Sequence, residues 1–162
     1  MTQSDSRYAR AGGALMRFGP DLVRFAYSYL LNLADAQDAV QDALVAYMKR
    51  APEFGDDESE KAWLFTVTAN KCRSFLRSGW FKSRAEIPES VPAQDESREV
   101  LNALSRLPRK YRMPLHLHYF EGYSIEEIAA MLNAKPATVG TWLARGREML
   151  KTEIGGFDDE EQ

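Results

Sequence analysis

Few side chains in this sequence could do covalent chemistry, and their spacing argues against it. The two histidines, His116 and His118, stand at i and i+2. On a helix their rings point roughly 200° apart, too far round to chelate one metal ion. The single cysteine, Cys72, has no histidine near it in sequence and reads as a small buried apolar group. The sequence holds no glycine-rich phosphate loop and no nucleophile elbow, so neither catalysis nor a metal or other cofactor is expected. The residues that do form a pattern are cations, amides and hydroxyls at helical spacing. Thr66, Asn70, Arg73 and Arg77 fall at i, i+4, i+7 and i+11, with Lys71 beside them. Trp63, Phe65, Phe75, Trp80 and Phe81 interleave with these cations, although packing is the first role expected of such rings, Trp63 included. Guanidiniums neutralise phosphates and rings stack on unpaired bases, so the set suits single-stranded nucleic acid. Further along, Thr138, Thr141, Trp142 and Arg145 share the outer side of another helix, where such groups reach base edges in a major groove.

These groups need helices to hold them, and the apolar periodicity supplies helices almost everywhere. Leu22, Phe25, Ala26, Tyr29, Leu30 and Leu33 make one stripe; Ala36, Ala39, Val40, Ala43, Leu44, Tyr47 and Met48 make a second. Asp35 stands where an N-cap belongs, with Asp38 three positions on. Leu64, Val67, Thr68, Cys72, Phe75 and Leu76 make a third stripe. No comparable period-two alternation exists. The expected fold is therefore all-α: two small helical domains joined by a flexible linker, the second a helix-turn-helix domain. The expected bounds are 12–80, a linker over 81–97 marked by Pro88 and Pro92, a second unit over 98–154, and an acidic tail over 155–162. Pro114 interrupts an otherwise helical "RKYRMPLHLHYFE".

The stretch "EGYSIEEIAAMLNAKPATVGTWLARGREMLK" sets the second unit's character. Ser124 and Glu127 form an S-x-x-E capping box, and Ile125, Ile128, Ala129 and Leu132 are expected to be the buried side of the helix it opens. "NAK" makes the turn and Pro136 takes a first helical position. Val139, Leu143, Gly146 and Leu150 then face the core, which leaves Thr138, Thr141, Trp142 and Arg145 outside.

Charge is distributed to match. The 162 residues carry a formal net charge of −3, but in blocks. Residues 21–60 hold nine acids against three bases, 61–84 six bases and no acid, and 106–151 eight bases against four acids. Local basic faces are what phosphate neutralisation needs, whatever the total. No apolar run approaches the roughly 20 residues of a membrane span, and the first residues have no apolar core of a secretory signal, so a cytoplasmic location is expected.

Taken together, two runs resemble the extracytoplasmic-function group of bacterial sigma factors. "LADAQDAVQDALVAYMKRAPEFGDDESEKAWLFTVTANKCRSFLR" is similar to the group's region two, and "LPRKYRMPLHLHYFEGYSIEEIAAMLNAKPATVGTWLARGRE" to its region four. The resemblance covers roughly residues 15–151. It implies a helix bearing Asp38, Gln41 and Asp42 that docks on the clamp helices of the largest subunit of core RNA polymerase, with the polymerase flap as a second contact. It implies that Phe54, Asp56 and Ser59, on the loop "EFGDDES", pocket a base flipped from the opened −10 element of promoter DNA. Lys61, Asn70, Arg73 and Arg77 would hold that strand. Lys135, Thr138, Thr141, Trp142, Arg145 and Arg147 would read the −35 element, and an anti-sigma factor would be a further partner. The chain departs from the pattern at Gly140, Thr141 and Trp142, where many members have Lys, Ser and Arg, and at Ser74, where Asp is common. The closing "GGFDDEEQ" is no part of it. A stand-alone helix-turn-helix regulator that binds duplex DNA without polymerase is the competing reading; it leaves the acidic helix and the upstream basic helix without a role.

Overall fold

The computed structural model describes the backbone of residues 3–78 and 95–154. Seven helices and no strand occur among them: α1 (Gln3–Leu30), α2 (Leu33–Arg50), α3 (Asp57–Ser78), α4 (Asp95–Ser105), α5 (Arg109–Tyr119), α6 (Ile125–Leu132) and α7 (Pro136–Ile154). The all-α expectation holds. Helix α4 begins two residues before the expected end of the connector at 97, while residues 79–94 and the acidic tail lie outside the described residues.

The first helical unit is a three-helix layer in which α1 packs on α2 and α3. Helix α1 is longer than its apolar stripe suggested and passes through Gly12, Gly13 and Pro20. Burial of Ala11, Ala14 and Phe18 against neighbouring helices outweighs those poor helix formers. The start of α2 also differs from expectation. Leu31 takes a left-handed φ of 57°, and the side chain of Asn32, rather than Asp35, accepts the capping bond, from the Asp35 N–H. The chain thus turns into α2 three residues earlier, and Asp35 is buried beneath the cap.

In the second unit α5 and α7 pack most closely, with α4 and α6 against α7. Gly146 is required there: a Cβ at that position would lie 2.7 Å from Leu115 Cδ1. Pro114 is accommodated inside α5, losing one backbone hydrogen bond, because Met113, Pro114 and Leu115 are all buried. The capping box forms as read: Glu127 N–H donates to Ser124 Oγ at 3.1 Å, and Ser124 N–H to Glu127 Oε1 at 2.9 Å. Asn133, at φ 53°, closes α6 in the left-handed conformation.

Buried residues of the two units merge into one hydrophobic cluster, from Phe25 and Phe65 to Leu115, Tyr123 and Ile128. Helix α1 touches α4 and α5, and α3 touches α6. This explains a misplaced core residue. Ile125 is 36% exposed, and Met131 is buried instead. Because α6 covers α3 as well as α7, its buried arc shifts toward its C-terminal end.

Candidate nucleic-acid and docking surfaces

Three of the predicted groups sit on three separate surfaces. On α2, the side chains of Asp38, Gln41 and Asp42 are exposed along one face, as their spacing requires. Val45, 41% exposed, continues that face, and Tyr8, Leu15, Leu44 and Met48 line a shallow groove beside Gln41. An acidic row with an apolar margin is the composition that takes a basic, amphipathic partner helix.

The second surface is built by the turn between α2 and α3. Phe54 stacks on Tyr47 with centroids 6.2 Å apart, and Trp63 meets both rings edge-on at 5.9 and 6.1 Å. The turn is pinned from α1: Arg10 Nη2 donates to the Pro52 carbonyl at 3.0 Å, and Arg17 Nη1 reaches Asp57 and Glu60, each at 2.8 Å. Tyr47 Oη donates to the other Glu60 oxygen. Burial alone would raise the Glu60 carboxyl, but bonds from Arg17 and Tyr47 more than offset it and hold it below its ordinary range. Burial, with the Glu60 carboxylate, pushes the Tyr47 phenol up to about 12. Asp56 accepts from the Ser59 N–H at 2.8 Å, which lowers its carboxyl and fixes the start of α3.

That turn opens on a cleft of about 370 Å³. Phe54, Ser59, Ala62, Trp63 and Thr66 form one wall, and Tyr123, Glu127, Ala130 and Met131 of the second unit form the other. The predicted strand-holding residues divide around it. Phe54 and Ser59 line it; Asp56 lies exposed outside as the cap. Asn70 and Arg77 are exposed on α3. Arg73 is half-buried, donating to Asn70 Oδ1 at 2.7 Å and to the Leu132 carbonyl at 3.0 Å. Lys61 does not line the cleft, and its Nζ lies 3.0 Å from Glu121 Oε1.

The third surface is α7. Lys135, Thr141 and Arg145 are exposed and Thr138 and Arg147 half-buried. Trp142, read as outward, packs in part against the shared core. Its ring is large enough to bridge from the helix flank to that cluster. Thr141 Oγ1 donates to the Ala137 carbonyl at 3.1 Å and keeps its acceptor lone pairs toward solvent.

Several residues that tie the surfaces together went unread. Glu121, its side chain 2% exposed, lies between Lys61, Arg24 Nη2 at 3.6 Å and His116 Nε2 at 3.7 Å. His116 is fully buried, stacked on Phe120 at 4.5 Å and tilted against Phe25 at 5.3 Å. Burial holds its pKa below the ordinary imidazole value despite Glu121 nearby. Arg112 donates to the carbonyls of Leu107, Ser105 and, across the units, Tyr29. Neither the period-3.6 pattern nor a cap signals Glu121, because it sits in a turn and its partners lie elsewhere in the chain. Cys72 is buried, which raises its thiol pKa and makes it a packing residue, as read.

Comparison with known proteins gives two family matches in order along the chain: sigma-70 region 2 over residues 14–82 and sigma-70 region 4 over residues 97–150. The chain is 32% identical over 127 residues to the ECF RNA polymerase sigma factor SigM of Mycobacterium tuberculosis, covering 75% of this chain and 65% of that protein. It thus spans just under two thirds of that relative's length. It is 27% identical to the RNA polymerase sigma factor SigV of Bacillus subtilis, over 83% of this chain and 84% of the relative. Among solved structures it is similar to the sigma factor RpoE from Bartonella quintana, in complex with the anti-sigma factor NepR. The TM-score there is 0.72 and the identity 27%, covering 88% of this chain and 95% of the other. The fold is also that of CnrH in complex with the cytosolic domain of CnrY, at TM-score 0.67 and 24% identity over 96% and 94% of the two chains.

Proposed function

The chain belongs to the extracytoplasmic-function sigma factors, carrying sigma-70 regions 2 and 4, and from that premise we propose that it is a non-catalytic promoter-specificity subunit of bacterial RNA polymerase. It binds core polymerase and directs initiation by reading a −10 and a −35 element. The observation that carries this reading is the ordered pair of modules, one with an exposed acidic helix face and the other with a capped helix-turn-helix. Residues 12–80 form the first functional unit, 81–97 the connector, 98–154 the second unit and 155–162 a tail.

In this reading Asp38, Gln41 and Asp42 pair with basic residues on the clamp helices of the largest polymerase subunit, and the flap holds the second unit. Phe54, Asp56 and Ser59 border the pocket for a flipped −10 base, and Lys61, Asn70, Arg73 and Arg77 hold the strand. Exposed Lys135, Thr141 and Arg145, with Thr138, Trp142 and Arg147 at their flank, meet the −35 duplex. An anti-sigma factor is a partner, as it is for the similar solved sigma factor RpoE from Bartonella quintana. The work is cytoplasmic, consistent with the lack of any described helix long and apolar enough to cross a membrane.

A gel-shift titration with and without core polymerase tests the assignment. Promoter-specific complexes are expected only when polymerase is present, because joint mounting raises the effective concentration of each reader. Asp42→Arg is expected to abolish core association. Tight sequence-specific binding by the chain alone would replace this reading with the stand-alone regulator.

A further inference from the structure

We propose that Arg10 and Arg17 of α1 are positioning residues for base recognition: they hold the turn between α2 and α3 in the shape that presents Phe54, Asp56 and Ser59 to an unpaired base. The inference deepens the −10 part of the sigma-factor reading and rests on it for the identity of the ligand, though not for the geometry.

The turn has little to hold its own shape. Helix α2 ends at Arg50 and α3 begins at Asp57. Backbone bonds close only the two ends of the stretch, from the Ala51 N–H to the Tyr47 carbonyl at 3.1 Å and from the Glu60 N–H to the Asp56 carbonyl at 3.3 Å. Between them, among the described residues, Glu53, Phe54 and Gly55 make no bond to another backbone group. Nothing packs on the apex, where a Cβ at Gly55 would meet no atom beyond its chain neighbours within 4 Å. A stretch tied only at its ends samples many shapes.

The restraint comes from α1. Arg10 and Arg17 are seven residues apart, close to two full turns, so both side chains leave the same face. They take the turn from its two sides. On the α2 side, Arg10 Nη2 donates to the Pro52 carbonyl at 3.0 Å, its Nη1 lies 3.8 Å from Glu53 Oε1, and its guanidinium lies over the Tyr47 ring at 5.2 Å. On the α3 side, Arg17 Nη1 donates to Asp57 Oδ1 and to Glu60 Oε1, each at 2.8 Å. The two grips meet at Tyr47, whose hydroxyl donates to the second Glu60 oxygen and whose ring carries Phe54.

Glu60 makes the arrangement demanding. The residue is 7% exposed, and a carboxylate so placed needs bonds to both oxygens. Arg17 supplies one and Tyr47 the other, so a turn displaced from α1 would leave a buried, half-paired anion. A ring that reads a base by stacking serves best when it is fixed before the base arrives, because ordering it on binding subtracts from affinity. Neither arginine belongs to the set assigned to the base or the strand; both fix residues that do.

A nitroxide on Gly55→Cys, in a Cys72→Ala background, reads the grip in the free protein without polymerase. The open space around Gly55 admits the label. The parent should give a slow-motion line shape, and Arg17→Ala and Arg10→Ala should each shorten the label's correlation time severalfold. Far-UV circular dichroism checks that the helices remain. Function is then read without the label, in holoenzyme reconstituted with core polymerase and offered single-stranded DNA 12-mers randomised at every position, the bound fraction being sequenced. The parent should enrich one base about 10-fold in at least one column. Arg17→Ala should cut that enrichment to about 2-fold while sparing other columns and core affinity, and Arg17→Lys, which keeps the charge and one bond, should restore most of it. A damaged fold would lower all columns together, so the single-column loss and the lysine rescue separate positioning from stability. A mobile label in the parent, or one that both alanine variants leave unchanged, would overturn the grip. A parent with no enriched column, an undiminished column in Arg17→Ala, or equal loss in every column would overturn the positioning role. Failure of the parent to join core polymerase would fell the sigma-factor reading and the base-reading role with it, while the line shape still decides the grip.

Discussion

On α7, Arg145 is exposed beside Lys135 and Thr141; on α3, Arg73 is half-buried and donates to a carbonyl of the other unit. Both are guanidiniums on polar helix faces, and by residue type and period they are equivalent. The fold separates them. One polar face is open to water, while the other is partly covered by the unit that carries the first. Which residues can reach a ligand is thus decided by tertiary packing, and a periodic basic face is only a precondition.

The largest expected effect tests the open side of this contrast. Arg145→Ala should weaken binding of a −35 duplex to the polymerase-bound protein by roughly 10- to 100-fold, measured by fluorescence anisotropy, while Arg73→Ala leaves it nearly unchanged. Equal losses from the two substitutions would erase the distinction. Next comes Gly146→Ala. Its new methyl would press on Leu115, which is 1% exposed, and overpacking of ~1–3 kcal/mol should outweigh the ~1 kcal/mol gained in helix propensity. Urea denaturation should show a net loss, confirming that α7 is held rigidly for its task; a net gain would mean that the helix can shift.

How much of this was legible in sequence follows the reach of the forces. Ser124 and Glu127 act within one turn, so the capping box was readable and is present. The helix stripes were readable because burial repeats every 3.6 residues. Asn32 was missed as a cap because the left-handed Leu31 that sets up the turn has no sequence signature. Ile125 was misread because α6 covers two neighbours, one of them about 60 residues away in the chain. His116 was weighed only as half of a metal pair, and its role as a buried ring between Phe25 and Phe120 depends on helices folding together. Of the −10 set, the type of Lys61 and Arg73 was legible, but their engagement by Glu121 and Leu132 was not.

Smaller effects refine the contrast further. Ser124→Ala should remove ~1 kcal/mol from the second unit, visible as a lower urea midpoint, with Thr141→Ala on exposed α7 as the near-neutral control. The covered side should also be the pH-sensitive side. His116 has a folded pKa below its unfolded value, so the unfolded chain binds the extra proton, and stability falls as pH drops below about 6.5. Imidazolium formation there would meet Arg24 as well as Glu121 and, more distantly, Asp21. Glu121 and Glu60, both held below their ordinary range, lose their contributions only below about pH 4.5. Melting temperature should therefore decline modestly from pH 7 to pH 5 in the parent and stay flatter in His116→Phe, which keeps the ring stack. An unchanged slope in that variant would remove His116 from the account.

The merged cluster has a consequence for handling and for the cell. Parting the units would wet Phe25, Phe65 and Tyr123 together, and oily surface of that kind favours self-association. An opened chain with nothing mounted on it would be a sticky, short-lived species, prone to precipitation and to quality-control proteases.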